Sequence, residues 1–271
     1  MRNKFLGVLS AVALAAGTLH AQDVLWGNSA QGGGPANIEA FDKTTGVRLH
    51  QFAGVSGNGR AIVVVGNTVY YSVVGDGHIY TMDATTGVAG PAIATSLTSF
   101  STLAYDGTGF WTGDYAGSNH AYHLTMGGVV DKTITLGLSE GNSDGLEYFD
   151  GKLIANEGDA NPVYDVYDLN GNVITAGLIH GNAGGSTGIA FDGTDFFTSN
   201  IYANSIDVWS MTGTFISTLA LPTVGSGRLI EDLSVDYSQR VDITTPEPSS
   251  LALLGTGLVG IVPMMRRRRK A

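Results

Sequence analysis

Between residues 22 and 245 the apolar positions come in short runs, often alternating with polar ones, and each run stops at Gly, Asn or Asp. Alternation with period two predicts strands, and no stretch of this region carries apolar residues at helical spacing. The pattern also repeats itself. Phe41-Asp42-Lys43-Thr44-Thr45-Gly46-Val47 returns as Met82-Asp83-Ala84-Thr85-Thr86-Gly87-Val88. Shorter versions stand at Leu124 to Gly128, Tyr167 to Gly171 and Trp209 to Gly213. Their first turn positions are 42, 83, 125, 168 and 210, at intervals of 41, 42, 43 and 42. Each turn closes on Gly, as a hairpin that needs φ > 0 requires.

A second unit precedes the first in the same register. Ser101 to Gly107, Ser143 to Tyr148 and Ser186 to Phe191 each lead through a turn to a bulky pair: Phe110-Trp111, Leu153-Ile154 and Phe196-Phe197. Tyr70-Tyr71 takes the same place after Ala61 to Val65. One repeat therefore holds four short strands, a to d from first to last, and four strands per 40–45 residues predict a β-propeller blade. A β-sandwich has no reason to repeat at a fixed interval. The region opens at a strand b, Val24-Leu25-Trp26, without a strand a before it. Glu231 to Asp236 aligns with Ser101 to Asp106 and supplies the missing strand from the far end. The expected fold is all-β: a five-bladed propeller over residues 22–236, clipped shut by a C-terminal strand that removes an exposed edge. Asp42-Lys43-Thr44-Thr45-Gly46 and Tyr167-Asp168-Leu169-Asn170-Gly171-Asn172-Val173 resemble the blades of YVTN-like, NHL-like and quinoprotein-like bacterial propellers.

Both ends depart from this pattern. Residues 1–21 combine Arg2 and Lys4 with an apolar stretch from Phe5 to Ala16 and a cut site at Leu19-His20-Ala21, the order of a secretory signal peptide. Residues 237–245 read as a linker. The last 26 residues run from Pro246-Glu247-Pro248 through an apolar segment, 251–265, to the basic tail 266–270. That segment spans about 22 Å as a helix, short of a hydrocarbon core unless serines and arginines at its flanks extend it. The basic residues place that end in the cytoplasm. Residues 246–271 resemble the PEP-CTERM sorting signal of Gram-negative envelopes. The resemblance implies export, transient anchoring in the inner membrane, cleavage by an exosortase-type enzyme, and delivery to the cell surface or an exopolysaccharide matrix. An ordinary C-terminal membrane anchor is the plainer reading of the same tail.

Removing both ends sharpens the charge. The whole chain carries a net −10, but residues 22–245 hold seven basic and 23 acidic residues, a net of −16. Such a body repels nucleic acid and anionic lipid, and leaves cations, neutral polysaccharide or another envelope protein as partners. The absence of cysteine excludes disulfides and thiolate chemistry. Gly, at 39 residues, is about twice its usual share of roughly 7%, in keeping with a turn-rich fold.

In a propeller the d–a and b–c loops form the face that usually binds ligands. The densest acidic group there is Glu140, Asn142, Asp144 and Glu147, with Glu157 and Asp159 one turn later. Alternating oxygen donors ahead of Gly145 resemble a calcium loop, although Gly151 stands where an EF-hand needs its last carboxylate. Solvated turn carboxylates are the bland reading of the same residues. Asp144 aligns with Thr102, Thr187 and Asp232, so these four are expected to ring the channel mouth, with Glu140 beside them. No cofactor is firmly indicated, Ca²⁺ being the one the carboxylates admit. The leading expectation is a non-enzymatic binding or scaffolding module. The alternative is a secreted glycosidase or lactonase that uses the mouth carboxylates as acid and base.

Overall fold

The computed structural model describes residues 23–30, 35–98, 100–113, 118–137, 143–156, 162–181, 185–222 and 229–240. The signal peptide, the segment 251–265, the basic tail, Glu140, Asn142, Glu157 and Asp159 lie outside them. So do Pro246, Glu247 and Pro248. Among the described residues no helix is long and apolar enough to cross a membrane.

The described chain is built from twenty strands and one short 3-10 helix. Strands β1 (Val24–Ala30), β2 (Pro35–Asp42) and β3 (Arg48–Ser56) form three-quarters of blade one. Blade two is β4 (Gly59–Val65), β5 (Thr68–Val73), β6 (His78–Asp83) and β7 (Ile93–Ala94). Blade three is β8 (Ala104–Tyr105), β9 (Gly109–Gly113), β10 (His120–Thr125) and β11 (Val130–Thr135). Blade four is β12 (Leu146–Phe149), β13 (Lys152–Asn156), β14 (Val163–Tyr167) and β15 (Val173–His180). Blade five is β16 (Ser186–Phe191), β17 (Asp195–Asn200), β18 (Ser205–Ser210) and β19 (Phe215–Ala220). Strand β20 (Leu229–Val235) then returns to pair antiparallel with β1, in the order β20-β1-β2-β3. The all-β, five-bladed propeller of four-stranded blades and its C-terminal clip are thus both present.

Burial sorts the strands by radius. The inner strands β4 and β16 are buried along nearly their whole length, because a neighbouring blade covers each side. The outer strands β15 and β19 are largely exposed. Five apolar clusters fill the five blade interfaces, one between each adjacent pair. The bulky pairs on the second strands explain how. Neighbours on a strand point to opposite faces, so Phe110 packs between blades two and three while Trp111 packs between three and four. Phe196 and Phe197 divide in the same way.

The repeat turns anchor themselves. Asp42 Oδ1 accepts the N–H groups of Thr44 and Thr45, and Asp83 Oδ1 those of Thr85 and Thr86. Asp168, Thr125 and Ser210 are the acceptors at the three other repeat positions. The turn glycines have a second duty. At Gly213 a Cβ would lie 1.6 Å from the carbonyl oxygen of Leu178 on the preceding blade, and at Gly171 2.2 Å from that of Thr135. Only a residue without a side chain lets the turn touch the neighbouring outer strand.

Residues 237–240, read above as the start of a linker, contact the body. Tyr237–Gln239 form the 3-10 helix, in which the Asp236 carboxylate caps the N–H of Ser238, and Arg240 folds back on β12.

Candidate functional site

The inner strands run from the d–a loops to the a–b turns, so their first residues mark one end of the central channel, here the loop end. Arg60 opens β4 there, and Glu231 and Asp232 lie near the start of β20. The Arg60 guanidinium pairs with Glu231 and reaches Asp144 at 3.5 Å, joining blades two, one and four across the axis. The side chains of all three are nearly buried.

Asp232 plays a different part. Its Oδ2 accepts the N–H of Ile62 at 3.0 Å and that of Leu103 at 3.5 Å, and Thr102 Oγ1 donates to it at 3.3 Å. One carboxyl therefore ties the clip strand to blades two and three. Its Oδ1 has no hydrogen-bonding partner, and the residue has no exposed surface. Burial pushes its pKa well above the usual carboxylate range, against the pull of the backbone donors. On the other side of the clip, Thr187 Oγ1 donates to the Glu231 carbonyl at 2.8 Å. Asn156 receives the Asp144 N–H and donates to the Ser186 carbonyl. Tyr164 donates to the Thr187 carbonyl at 2.8 Å, and burial together with the charges of Asp144 and Asp232 holds its phenol protonated.

Thr102, Asp144, Thr187 and Asp232 are all buried, and each is bonded to another blade. Thr102 meets Asp232, Thr187 meets Glu231, and Asp144 meets Arg60. Arg60 supplies the positive charge among these acids. Its signal was a lone arginine placed directly before the buried run Ala61 to Val64. Glu231 stands where Ser101, Ser143 and Ser186 are uncharged, so the repeat itself does not mark it.

Glu147 leaves the proposed cation set. It sits further along β12, towards the opposite end of the channel, where its carboxylate receives Arg240 Nη1 at 3.0 Å, the Tyr237 hydroxyl and the Phe191 N–H at 3.2 Å. Burial pushes its pKa up, opposed by the Arg240 charge and the Tyr237 hydrogen bond. Arg240 also donates to the Tyr148 carbonyl at 2.7 Å and stacks on Tyr237 and Phe191. A small cavity of about 70 Å³ beside this cluster is lined by Tyr105, Asp106, Gly107, Tyr148, Tyr237 and Arg240. Among the described residues no group of three or more His, Asp or Glu is placed to hold a metal ion.

Two of the six histidines form matched pairs with tyrosines. His78 lies beside Tyr80 and His120 beside Tyr122 at the same strand positions of blades two and three. Asp76 accepts from Tyr80, which pushes that phenol up to about 12. His123 faces the other way, towards Asp106 at 3.1 Å and against Trp111.

Fold and site define an acidic, disulfide-free propeller whose channel is crossed by internal ion pairs. Residues 244–270 match the PEP-CTERM protein-sorting motif, so the chain is exported and sorted to the cell surface in association with a membrane. That motif is the recognition signal of exosortase-type processing. The described body is similar to a chain in the crystal structure of a nidogen/laminin complex, with a TM-score of 0.55 and 16% identity over 79% of this chain and 99% of that one. It is also similar to the crystal structure of Myxococcus xanthus glutaminyl cyclase, with a TM-score of 0.51 and 14% identity over 66% of this chain and 90% of that one. At these identities the likeness is one of fold. No curated protein matches the sequence significantly.

Proposed function

We propose that this protein is a non-enzymatic binding or scaffolding module of the cell envelope or exopolysaccharide matrix, delivered there by its sorting tail. The observation that carries the reading is the engagement of the channel by its own groups. A hydrolase of the glycosidase type needs one protonated and one ionised carboxyl free to reach substrate. Here Arg60 engages Asp144 and Glu231, while Asp232 spends one oxygen on three donors from neighbouring blades. These acids support the ring. The loop face is left as the surface for a ligand, and a body of net −16 suits a neutral polysaccharide or an envelope protein with a basic patch.

The test pairs binding with turnover on the released protein. Retention on the host's purified exopolysaccharide is expected, with no hydrolysis of a panel of aryl glycosides and lactones. Turnover that Asp144→Asn abolishes would reverse the reading in favour of a hydrolase. Processing has its own check. Replacing Pro246 and Pro248 together should leave the chain uncleaved in the membrane, and unchanged release in that variant would remove the sorting route.

A further inference from the structure

Each seam between blades carries, at the turn end, a c–d turn of the following blade, and four of the five turns put an apolar residue there. Ala84, Met126, Leu169 and Met211 follow the first turn position in blades two to five. Ala84 and Leu169 pack against the cluster of their own seam. Blade one has Lys43 instead. Its ammonium spans the seam to Asp192 of blade five at 2.8 Å. A second departure lies beside it. The residue ahead of the bulky pair is Val69, Gly109 and Lys152 in blades two to four, but Asp195 in blade five. Lys43, Asp192 and Asp195 edge a groove between blades five and one, lined on its apolar side by Phe197, Val208 and Leu219. At about 330 Å³ it is at the small end of ligand pockets, roughly 300–1,000 Å³, so it has room for one side chain or one small molecule.

The charges in this groove do not balance. Asp192 is fully engaged: its Oδ2 accepts from Lys43, and its Oδ1 accepts the N–H groups of Thr194 and Asp195 at 2.8 Å each. One lysine against two aspartates leaves the groove a net charge of 1 − 2 = −1. Asp195 carries the excess. Burial and the nearby Asp192 push its pKa up, against the pull of Lys43. A ligand that brings one positive charge relieves both effects, whereas a hydroxyl brings none. The apolar side of the groove suits a stem behind that charge, as long basic side chains lay their methylenes on apolar surface and keep the head polar.

We propose that the groove between blades five and one is a binding site for a primary ammonium on an aliphatic stem, with the head on Asp195 and the stem along Phe197 and Leu219. Lys43 sets the specificity. By holding Asp192 it leaves one carboxylate to the ligand, so the site takes a single charge. The groove stands apart from the loop face, and its failure as a site would leave the reading of that face untouched. A free amine and a lysine side chain of a partner offer the same chemistry.

The test is an NMR titration of the full-length chain in non-ionic detergent, at neutral pH and low salt, where ion pairs are least screened. The n-butylammonium ion stands for a free amine and Nα-acetyl-lysine amide for a lysine side chain, and the tighter of the two names the source. That probe should bind about tenfold more tightly than methylammonium, which has no stem to cover apolar surface. Asp195→Asn should weaken it about tenfold. Asp131→Asn removes the same charge from blade three and should change the affinity less than about twofold. Lys43→Met should tighten binding severalfold, because Asp192 then faces the ammonium as well. Equal losses in the two aspartate variants would mean that the net charge alone gathers cations, and would overturn the site. So would methylammonium bound as tightly as the longer probes, or an affinity not raised in Lys43→Met. Methyl glucoside is the neutral probe. Its binding through Asp195, with neither amine bound, would overturn the proposal in favour of a saccharide.

Discussion

The two ends of the channel meet the same difficulty with different parts. Each gathers carboxylates in a narrow, poorly solvated space, where unpaired charge is costly. Each is met by one arginine, which faces two carboxylates at the loop end and one at the turn end. At the loop end Arg60 comes from within the ring and joins blades one, two and four. At the turn end Arg240 comes from the segment that follows the clip strand, and it locks that segment onto Glu147. The first pairing belongs to ring closure, whereas the second belongs to a cap added after closure. The loop-end pairing joins blades across the axis, and the turn-end pairing holds the segment after the clip strand onto blade four.

This contrast predicts two unequal losses. Removing one partner of a buried pair costs about 3–5 kcal/mol, because the other charge remains buried. Arg60→Met strands both Asp144 and Glu231, so it should fall at the upper end of that range. Arg240→Met strands Glu147 alone, which keeps the Tyr237 hydroxyl and the Phe191 N–H. It should fall at the lower end, and Glu147→Gln in the same chain should restore most of the loss. Urea unfolding at neutral pH measures all three. An Arg240→Met loss as large as that of Arg60→Met, without rescue by Glu147→Gln, would mean that the cap is part of closure.

Legibility in the sequence divides along the same line. The repeat was readable because backbone geometry forces it: an Asp, Thr or Ser that accepts its own turn N–H groups, then a Gly at φ > 0 that also clears the next blade. The clip was readable because Glu231 to Asp236 fits the strand missing before Val24. The channel was not. Aligning Asp144 with Asp232 gives their place along the strand, yet their roles depend on what lies across the axis, which no local pattern encodes. Asp232 reaches backbone N–H groups of two other blades, and a backbone donor leaves no mark in a sequence. The cap was hidden for a related reason. Tyr237 and Arg240 follow the last strand and look like linker until Glu147 is seen opposite them.

A smaller effect separates the ends by pH. Burial raises the pKa of Asp232 well above its ordinary value, so the folded state holds that proton more tightly than the unfolded chain does. Such a group contributes stability that is fully present below the unfolded value, about 3.9 for Asp, and is lost as pH rises through the folded one. Glu147 acts in the same direction. The turn carboxylates with lowered values, Asp106 among them, act oppositely, and their contribution is lost only as pH falls below the ordinary range. The contribution of Asp232 and Glu147 is therefore expected to decline as pH rises above the unfolded carboxylate value, about 3.9 for Asp. Asp232→Asn, which cannot titrate, should flatten that slope more than Glu147→Gln does, since Arg240 already compensates Glu147. Melting temperatures across this range decide it. An unchanged slope in Asp232→Asn would place the titrating group elsewhere.

The smallest expected effect concerns calcium at the loop-end carboxylates. A specific calcium site would stabilise the fold by about 2.7 kcal/mol at a hundredfold excess over its dissociation constant. At the loop end Arg60 already stands between Asp144 and Glu231, where such an ion would need to sit. Millimolar calcium should therefore leave the melt of the parent protein unmoved, with or without EDTA. The same reasoning predicts a gain where the arginine is missing. In Arg60→Met the guanidinium no longer stands between Asp144 and Glu231, and Ca²⁺ takes oxygen donors in flexible geometry. Calcium should raise the melt of that variant, and Asp144→Asn in the same chain should abolish the rise. A calcium shift in the parent that Asp144→Asn removes would show that the guanidinium does not occupy the site. A variant unmoved by calcium would show that the two carboxylates come together only because Arg60 draws them.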